Sequence, residues 1–264
     1  GPDGDVYYAR RNAVKGSGRR RRPAPRHTLV RLDQGHETWV RYGELPDKML
    51  PLGIIVSDTG ELLQTCSDYG AFGIASYVRQ VLRRDRDGQP LGAAYPSSSA
   101  ASRWSVAGPG GGIVLAGANQ RGPTTKPYRA DLFRLEADGG LRWSHVDPPS
   151  ALQSVTRDLA RLPRDRRSER GASDRIATLV QWSRDSYGRG GGRRLDVRVY
   201  DDASGALLFT QTVSELGDDS SSRREALAAS PDGMLYVLES PKEGPTQLSA
   251  WTLNPRATRI LQRL

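Results

Sequence analysis

Apolar and polar residues alternate with a period of two in five stretches of the chain, the spacing of half-buried strands rather than the three-to-four spacing of a helix face. Residues 195–209 show it most clearly. Leu195, Val197 and Val199 alternate with Asp196, Arg198 and Tyr200, and the pattern breaks at Asp201-Asp202-Ala203-Ser204-Gly205 before resuming at Leu207-Leu208-Phe209. Residues 131–143 repeat this shape around Asp138-Gly139-Gly140 and end on Trp143, residues 27–40 carry Trp39 after Asp33-Gln34-Gly35, residues 77–95 break at Asp85-Arg86-Asp87-Gly88 and end on Tyr95, and residues 248–264 turn at Asn254-Pro255. Aspartate bonds its own backbone and glycine accepts positive φ, so each break predicts a hairpin turn.

A second turn signal precedes each of these hairpins: Pro2-Asp3-Gly4, Asp58-Thr59-Gly60, the Gly108–112 run, an insertion over 162–174, and Pro231-Asp232-Gly233. Two hairpins make a four-stranded unit. The turn glycines at 4, 60, 111, 171 and 233 recur at intervals a little above the about 40–50 residues of four-stranded blades. Such a unit cannot bury both faces alone, so the pattern predicts an all-β fold, a β-propeller of about five four-stranded antiparallel blades at about 1–45, 46–97, 98–147, 148–215 and 216–264. A β-sandwich is the alternative, but it requires no repeated turn chemistry. Residue 1 falls just before the first turn. Blade one is therefore expected to lack its innermost strand, leaving residues 6–14 as an edge, and the chain to be a piece of a longer one with a larger blade number open.

The pattern Asp-x-x-Gly-x-x-x-aromatic at 201–209, and its relative at 135–143, resembles the repeats of quinoprotein-like (PQQ-like) propellers, and Ser230-Pro231-Asp232-Gly233 is similar to the turns of WD40-like propellers. The resemblance implies the architecture. In such families the aromatic after the turn is a packing element, which implies that Trp39, Trp143 and Phe209 are core; together with Trp182 and Trp251 they are expected to be mostly buried between blades. The resemblance also spans two functions: quinone-dependent enzymes, and binding platforms of the outer-membrane assembly lipoprotein type that carry no cofactor.

Composition narrows the chemistry. Cys66 is the single cysteine, so an internal disulfide and the adjacent cysteine pair of some quinoproteins are both excluded, and no His/Cys spacing suits zinc. His27, His36 and His145 fall in or beside hairpin strands, as surface or hydrogen-bonded residues rather than bases. Strands, not helices, follow the glycine runs at 108–112 and 188–192, which removes a phosphate cradle. Asp85-Arg86-Asp87-Gly88 and Asp201-Asp202 lack the remaining ligands of a calcium loop. No Gly-x-Ser-x-Gly elbow is present. No cofactor, metal or catalytic residue is expected, and no apolar run is long enough for a membrane-spanning helix.

Charge adds one positive feature. The formal charge is +9, and with only Lys15, Lys48, Lys126 and Lys242 present, arginine supplies nearly all 39 basic residues. In four-stranded blades the segments joining second to third strands share one face. On that face fall Arg19, Arg20, Arg21 and Arg22, then Arg121, Lys126 and Arg129, then Arg184, Arg189, Arg193 and Arg194. The Asp-rich hairpin turns fall on the other. An arginine face suits an acidic protein partner through bidentate carboxylate contacts, and nucleic acid or an anionic surface less well, since Tyr128 and Tyr187 are the only aromatics there to stack on bases. The expected function is a non-catalytic propeller scaffold presenting loops to protein partners; a propeller hydrolase, a degenerate quinoprotein and an anion binder are the alternatives.

Overall fold

Local turn chemistry builds the hairpins. Gly60, Gly88, Gly139 and Gly233 each donate their N–H to the carbonyl three residues earlier, at Ser57, Asp85, Glu136 and Ser230, over 2.9–3.0 Å. All four sit at φ between 79° and 88°, the left-handed region glycine enters without penalty. Side chains finish the turns: Asp85 Oδ1 accepts the N–H groups of Asp87 and Gln89, and Asp201 Oδ1 accepts the N–H and hydroxyl of Ser204.

The computed structural model describes residues 6–11, 27–32, 39–44, 49–57, 59–68, 80–85, 87–94, 100–119, 129–148, 150, 152–162, 174–183, 193–216, 224–230, 232–240, 245–253 and 260–263. Among the described residues nineteen strands form five antiparallel sheets. The first sheet holds β1 (Val6–Arg11), β2 (His27–Leu32) and β3 (Trp39–Glu44). The second holds β4 (Met49–Val56), β5 (Leu62–Asp68), β6 (Gln80–Arg84) and β7 (Pro90–Ala94). The third holds β8 (Ala100–Ala107), β9 (Ile113–Asn119), β10 (Arg129–Leu135) and β11 (Leu141–Val146). β12 (Gln153–Leu162), β13 (Arg175–Ser183), β14 (Arg193–Asp201) and β15 (Leu207–Leu216) make the fourth, and β16 (Arg224–Ala229), β17 (Met234–Ser240), β18 (Gln247–Leu253) and β19 (Ile260–Arg263) the fifth. Strand order follows chain order in every sheet, the meander of a propeller blade. Among the described residues a single 3-10 turn, Pro109–Gly111, is the only helical element.

The chain divides into two compact units. The first comprises Gly1–Ser98, Ala107–Ile113 and Leu135–Gly140. Within it Leu62 packs against Tyr7, Ile54 and Val56, and Arg83 pairs with Glu61 at 2.8 Å.

The second unit comprises Ser99–Val106, Val114–Arg134 and Leu141–Leu264, and most of the described core lies here. Both faces of the fourth sheet are covered. One packs Leu179, Leu195, Val197 and Val199 against Leu227, Leu235, Val237 and Trp251 of the fifth sheet. The other packs Ile176 and Tyr200 against Val114, Ala116 and Leu132 of the third. At the β12–β16 seam, Asp158 Oδ2 accepts the Leu227 N–H at 2.7 Å, so the first strand of one sheet caps the first strand of the next.

Trp182 and Trp251 are core residues, at 9% and 7% exposed, and the post-turn aromatics Trp143 and Phe209 are half-buried, Trp143 packed against the core between the third and fourth sheets and Phe209 against that between the fourth and fifth. Trp39 lies where side chains are outside the described set. Both sit on the last strands of their sheets, which leaves part of each ring exposed. Trp143 also lies over the β14–β15 turn of the following sheet, donating from Nε1 to the Asp202 carbonyl at 2.8 Å. Arg134 grips the same turn, ion-paired with the Asp202 carboxylate and hydrogen-bonded to its carbonyl, and Arg142 donates to the Ala203 carbonyl.

Candidate functional site

Alternation along β14 puts Arg194, Asp196, Arg198 and Tyr200 on one face, and the register sets Trp182 of β13 beside Arg194. That face looks toward the third sheet, not toward solvent: Asp196 and Tyr200 are 0% and 2% exposed. Asp196 is fully engaged. Its Oδ2 accepts the Trp182 indole N–H at 2.7 Å and Arg194 Nε at 3.1 Å and Nη2 at 3.0 Å, and its Oδ1 accepts the Thr212 hydroxyl at 2.9 Å. The guanidinium carbons of Arg194 and Arg198 lie 5.2 and 5.1 Å from the Trp182 ring centroid, within cation–π range.

A second carboxylate continues the network. Arg198 Nη1 donates to Asp147 Oδ1 at 2.5 Å, His145 Nε2 lies 3.6 Å from the same oxygen, and the His145 ring meets Tyr200 edge-on at 5.3 Å. Burial opposes ionisation of Asp147, but hydrogen bonds from His145, Arg198 and Ser154 and the Arg198 charge outweigh it and hold the carboxyl below the usual range. Burial pushes the Tyr200 phenol up, and the Arg198 charge moderates the rise. The network is thus two arginine–carboxylate pairs sharing one indole, the Arg198–Asp147 pair buried and the Arg194–Asp196 pair buried only at its carboxylate. It opens outward at Arg194, whose side chain is 45% exposed, and at His145, at 32%.

Of the arginine-face residues, Arg19, Arg20, Arg21, Arg22, Arg121, Lys126, Arg184 and Arg189 lie outside the described residues. Arg129 opens β10 and is half-buried, Arg193 opens β14, and Arg194 follows it. Ala130 packs with Val180 and Trp182, and its N–H bonds Ser154 Oγ at 2.8 Å. The start of β10 and the end of β13, beside which β14 starts, therefore share one end of the second unit.

Asp147, Trp182, Asp196, Arg198 and Tyr200 did not stand out in the sequence as a cluster. The available signal is Arg194-x-Asp196-x-Arg198 alternating with Leu195, Val197 and Val199 in a strand that another sheet covers on each face. Elsewhere the chemistry is quiet: Cys66 is buried, which pushes its thiol up to about 12, and among the described residues no group of three or more His, Cys, Asp or Glu could hold a metal. No described helix is long and apolar enough to cross a membrane.

No protein-family model matches the chain, and no curated protein does. Solved structures do. A glucose dehydrogenase aligns over 93% of this chain and 76% of its own at 13% identity and a TM-score of 0.50. A protein of unknown function from Bacteroides caccae aligns over 90% of this chain and 68% of its own, at 13% identity and a TM-score of 0.44. A mutant NanB sialidase from Streptococcus pneumoniae aligns over 83% of this chain at 12% identity and a TM-score of 0.48, and this chain spans 33% of it. The likeness to the glucose dehydrogenase bears on fold alone. With the antiparallel sheets of meander order, it assigns the chain to the all-β propeller class.

Proposed function

We propose that this chain is a non-catalytic propeller module that docks an acidic protein partner through the Arg-rich segments joining second to third strands. The observation that carries this reading is Arg194. An arginine on an exposed loop loses much rotamer freedom when it binds, whereas Arg194 is already held flat by Asp196 and the Trp182 ring while 45% exposed. Behind it, the described arginine–aspartate pairs neutralise one another, so their arrangement suits a rigid mount rather than proton transfer.

The test is retention of the full chain on immobilised poly-glutamate, with poly-lysine as control, at low and moderate ionic strength. Wild type should be retained on poly-glutamate at low salt and released as salt screens the contacts. Replacing Arg19, Arg20, Arg21 and Arg22 with Ser should weaken retention without moving the melting temperature; Arg194→Ala should weaken it too but lower the melting temperature, because it takes a counter-charge from the buried Asp196. Equal retention of wild type and both variants at both salts would overturn the reading, as would a stoichiometric metal or a quinone absorbance in the purified chain.

A further inference from the structure

Asp196 takes only one side of the Arg194 guanidinium. Its Oδ2 accepts Nε at 3.1 Å and lies 3.0 Å from Nη2, and the only other described contact of the group is the Trp182 ring, 5.2 Å from its central carbon. The N–H groups along the end of the planar fork, on Nη1 and Nη2, are therefore uncommitted among the described residues, and they run parallel. Asp196 and the indole are both buried, so the exposure of the Arg194 side chain falls on the edge turned away from Asp196. That edge has little net charge behind it. Asp196 offsets Arg194, Asp147 offsets Arg198, and the β14–β15 register sets Glu215 opposite Arg194. Long-range attraction falls instead to the arginines that precede it in the chain, Arg184, Arg189 and Arg193.

Resting on the docking reading above, we infer that Arg194 is the specificity-determining residue of that surface: its end edge takes a planar carboxylate of the partner, an Asp or Glu side chain, through two parallel N–H···O bonds. It anchors by geometry where the loop arginines steer by charge. Two consequences separate these roles. A lysine keeps the charge but lacks the planar fork, so Arg194→Lys weakens the hold on a carboxylate and not on a phosphate, which a point charge holds as well. A contact made against a half-buried, already paired guanidinium is also screened far less than steering across solvent, so the contribution of Arg194 persists in salt.

Fluorescence anisotropy of the full chain with a labelled glutamate oligomer and with labelled inorganic polyphosphate, at low and moderate salt, tests the inference. Arg194→Lys leaves Asp196 its counter-charge, and should weaken binding of the glutamate oligomer about fivefold at both salts while binding polyphosphate as wild type does. Replacing Arg19, Arg20, Arg21 and Arg22 with Ser should weaken both ligands at low salt, with a loss that shrinks as salt rises. The guanidinium NMR signals of Arg194 in the wild type should shift on adding the glutamate oligomer, a readout that needs no variant. Absence of wild-type binding to the glutamate oligomer at both salts would overturn the docking reading and the inference with it. Wild-type affinity in Arg194→Lys, an equal loss for both ligands, a loss that fades with salt, or unshifted guanidinium signals would overturn the inference alone.

Discussion

Gly205 is fixed by two constraints at once. Its φ of 72° is a conformation L side chains rarely adopt, and a Cβ built there would stand 2.7 Å from Trp143 Cδ2. The obstructing atoms belong to a rigid indole held by its bond to the Asp202 carbonyl, so neither partner can yield cheaply. Gly60 shares the backbone constraint at φ 79°, but open space surrounds its missing side chain. The two glycines therefore separate conformation from packing. Gly60→Ala should destabilise by about 1 kcal/mol, the left-handed penalty alone, and Gly205→Ala by about 3 kcal/mol once overpacking is added. Urea denaturation of both variants checks the difference. Equal losses would mean that the indole moves aside freely.

Elements explain which features could be read from the sequence. The turns at Gly60, Gly88, Gly139, Gly205 and Gly233 were legible because their chemistry is local: an aspartate or serine and a glycine in a short span determine the geometry. The strands followed from alternation between those turns. Trp143 and the charged face of β14 were not legible, because what meets them is another sheet, and period-two alternation is the same whether the polar face meets water or a neighbouring blade. Hence Trp143 packs on the core as expected but also clamps the next turn, and Asp196 and Arg198, at the polar positions of the alternation, are buried. The clamp predicts a graded response. Trp143→Phe keeps a ring over Gly205 but loses the Nε1 hydrogen bond, costing about 1 kcal/mol. Trp143→Ala loses both and should cost about 3 kcal/mol. Amide exchange at residues 201–206 should accelerate in the same order; unchanged exchange in Trp143→Ala would show that Arg134 and Arg142 hold the turn without the indole.

For the whole molecule, buried carboxylates of opposite tendency set the dependence of stability on pH. Asp131 is 4% exposed, and burial pushes its pKa up to about 7 although its carboxyl accepts the backbone N–H groups of Asp131 and Gly117. Burial moves Asp158 and Asp202 in the same direction. In the unfolded chain these groups ionise near pH 4, about the ordinary aspartate value. Between about pH 4 and 7 the unfolded chain therefore releases a proton that folded Asp131 retains, and stability falls as pH rises through that window. Asp147 works the other way. Its folded pKa lies below the ordinary value, so its contribution is complete above about pH 4 and is lost as pH falls through the folded value and Arg198 loses its charged partner. Protonation of exposed carboxylates adds to the net positive charge and steepens that acid limb. Stability should accordingly peak near pH 4–5, about where the two tendencies cross. Asp131→Asn should flatten the decline toward pH 8 and leave the variant more stable than wild type there by a few kcal/mol. Asp147→Asn should cost about 3–5 kcal/mol at neutral pH, since it leaves Arg198 buried without a counter-charge, and should make the acid limb shallower. Urea denaturation at a series of pH values, on wild type and both variants, measures all three slopes. A wild type that gains stability from pH 5 to 8, or an Asp131→Asn variant with the wild-type slope, would show that Asp131 is ionised in the folded protein at the ordinary value.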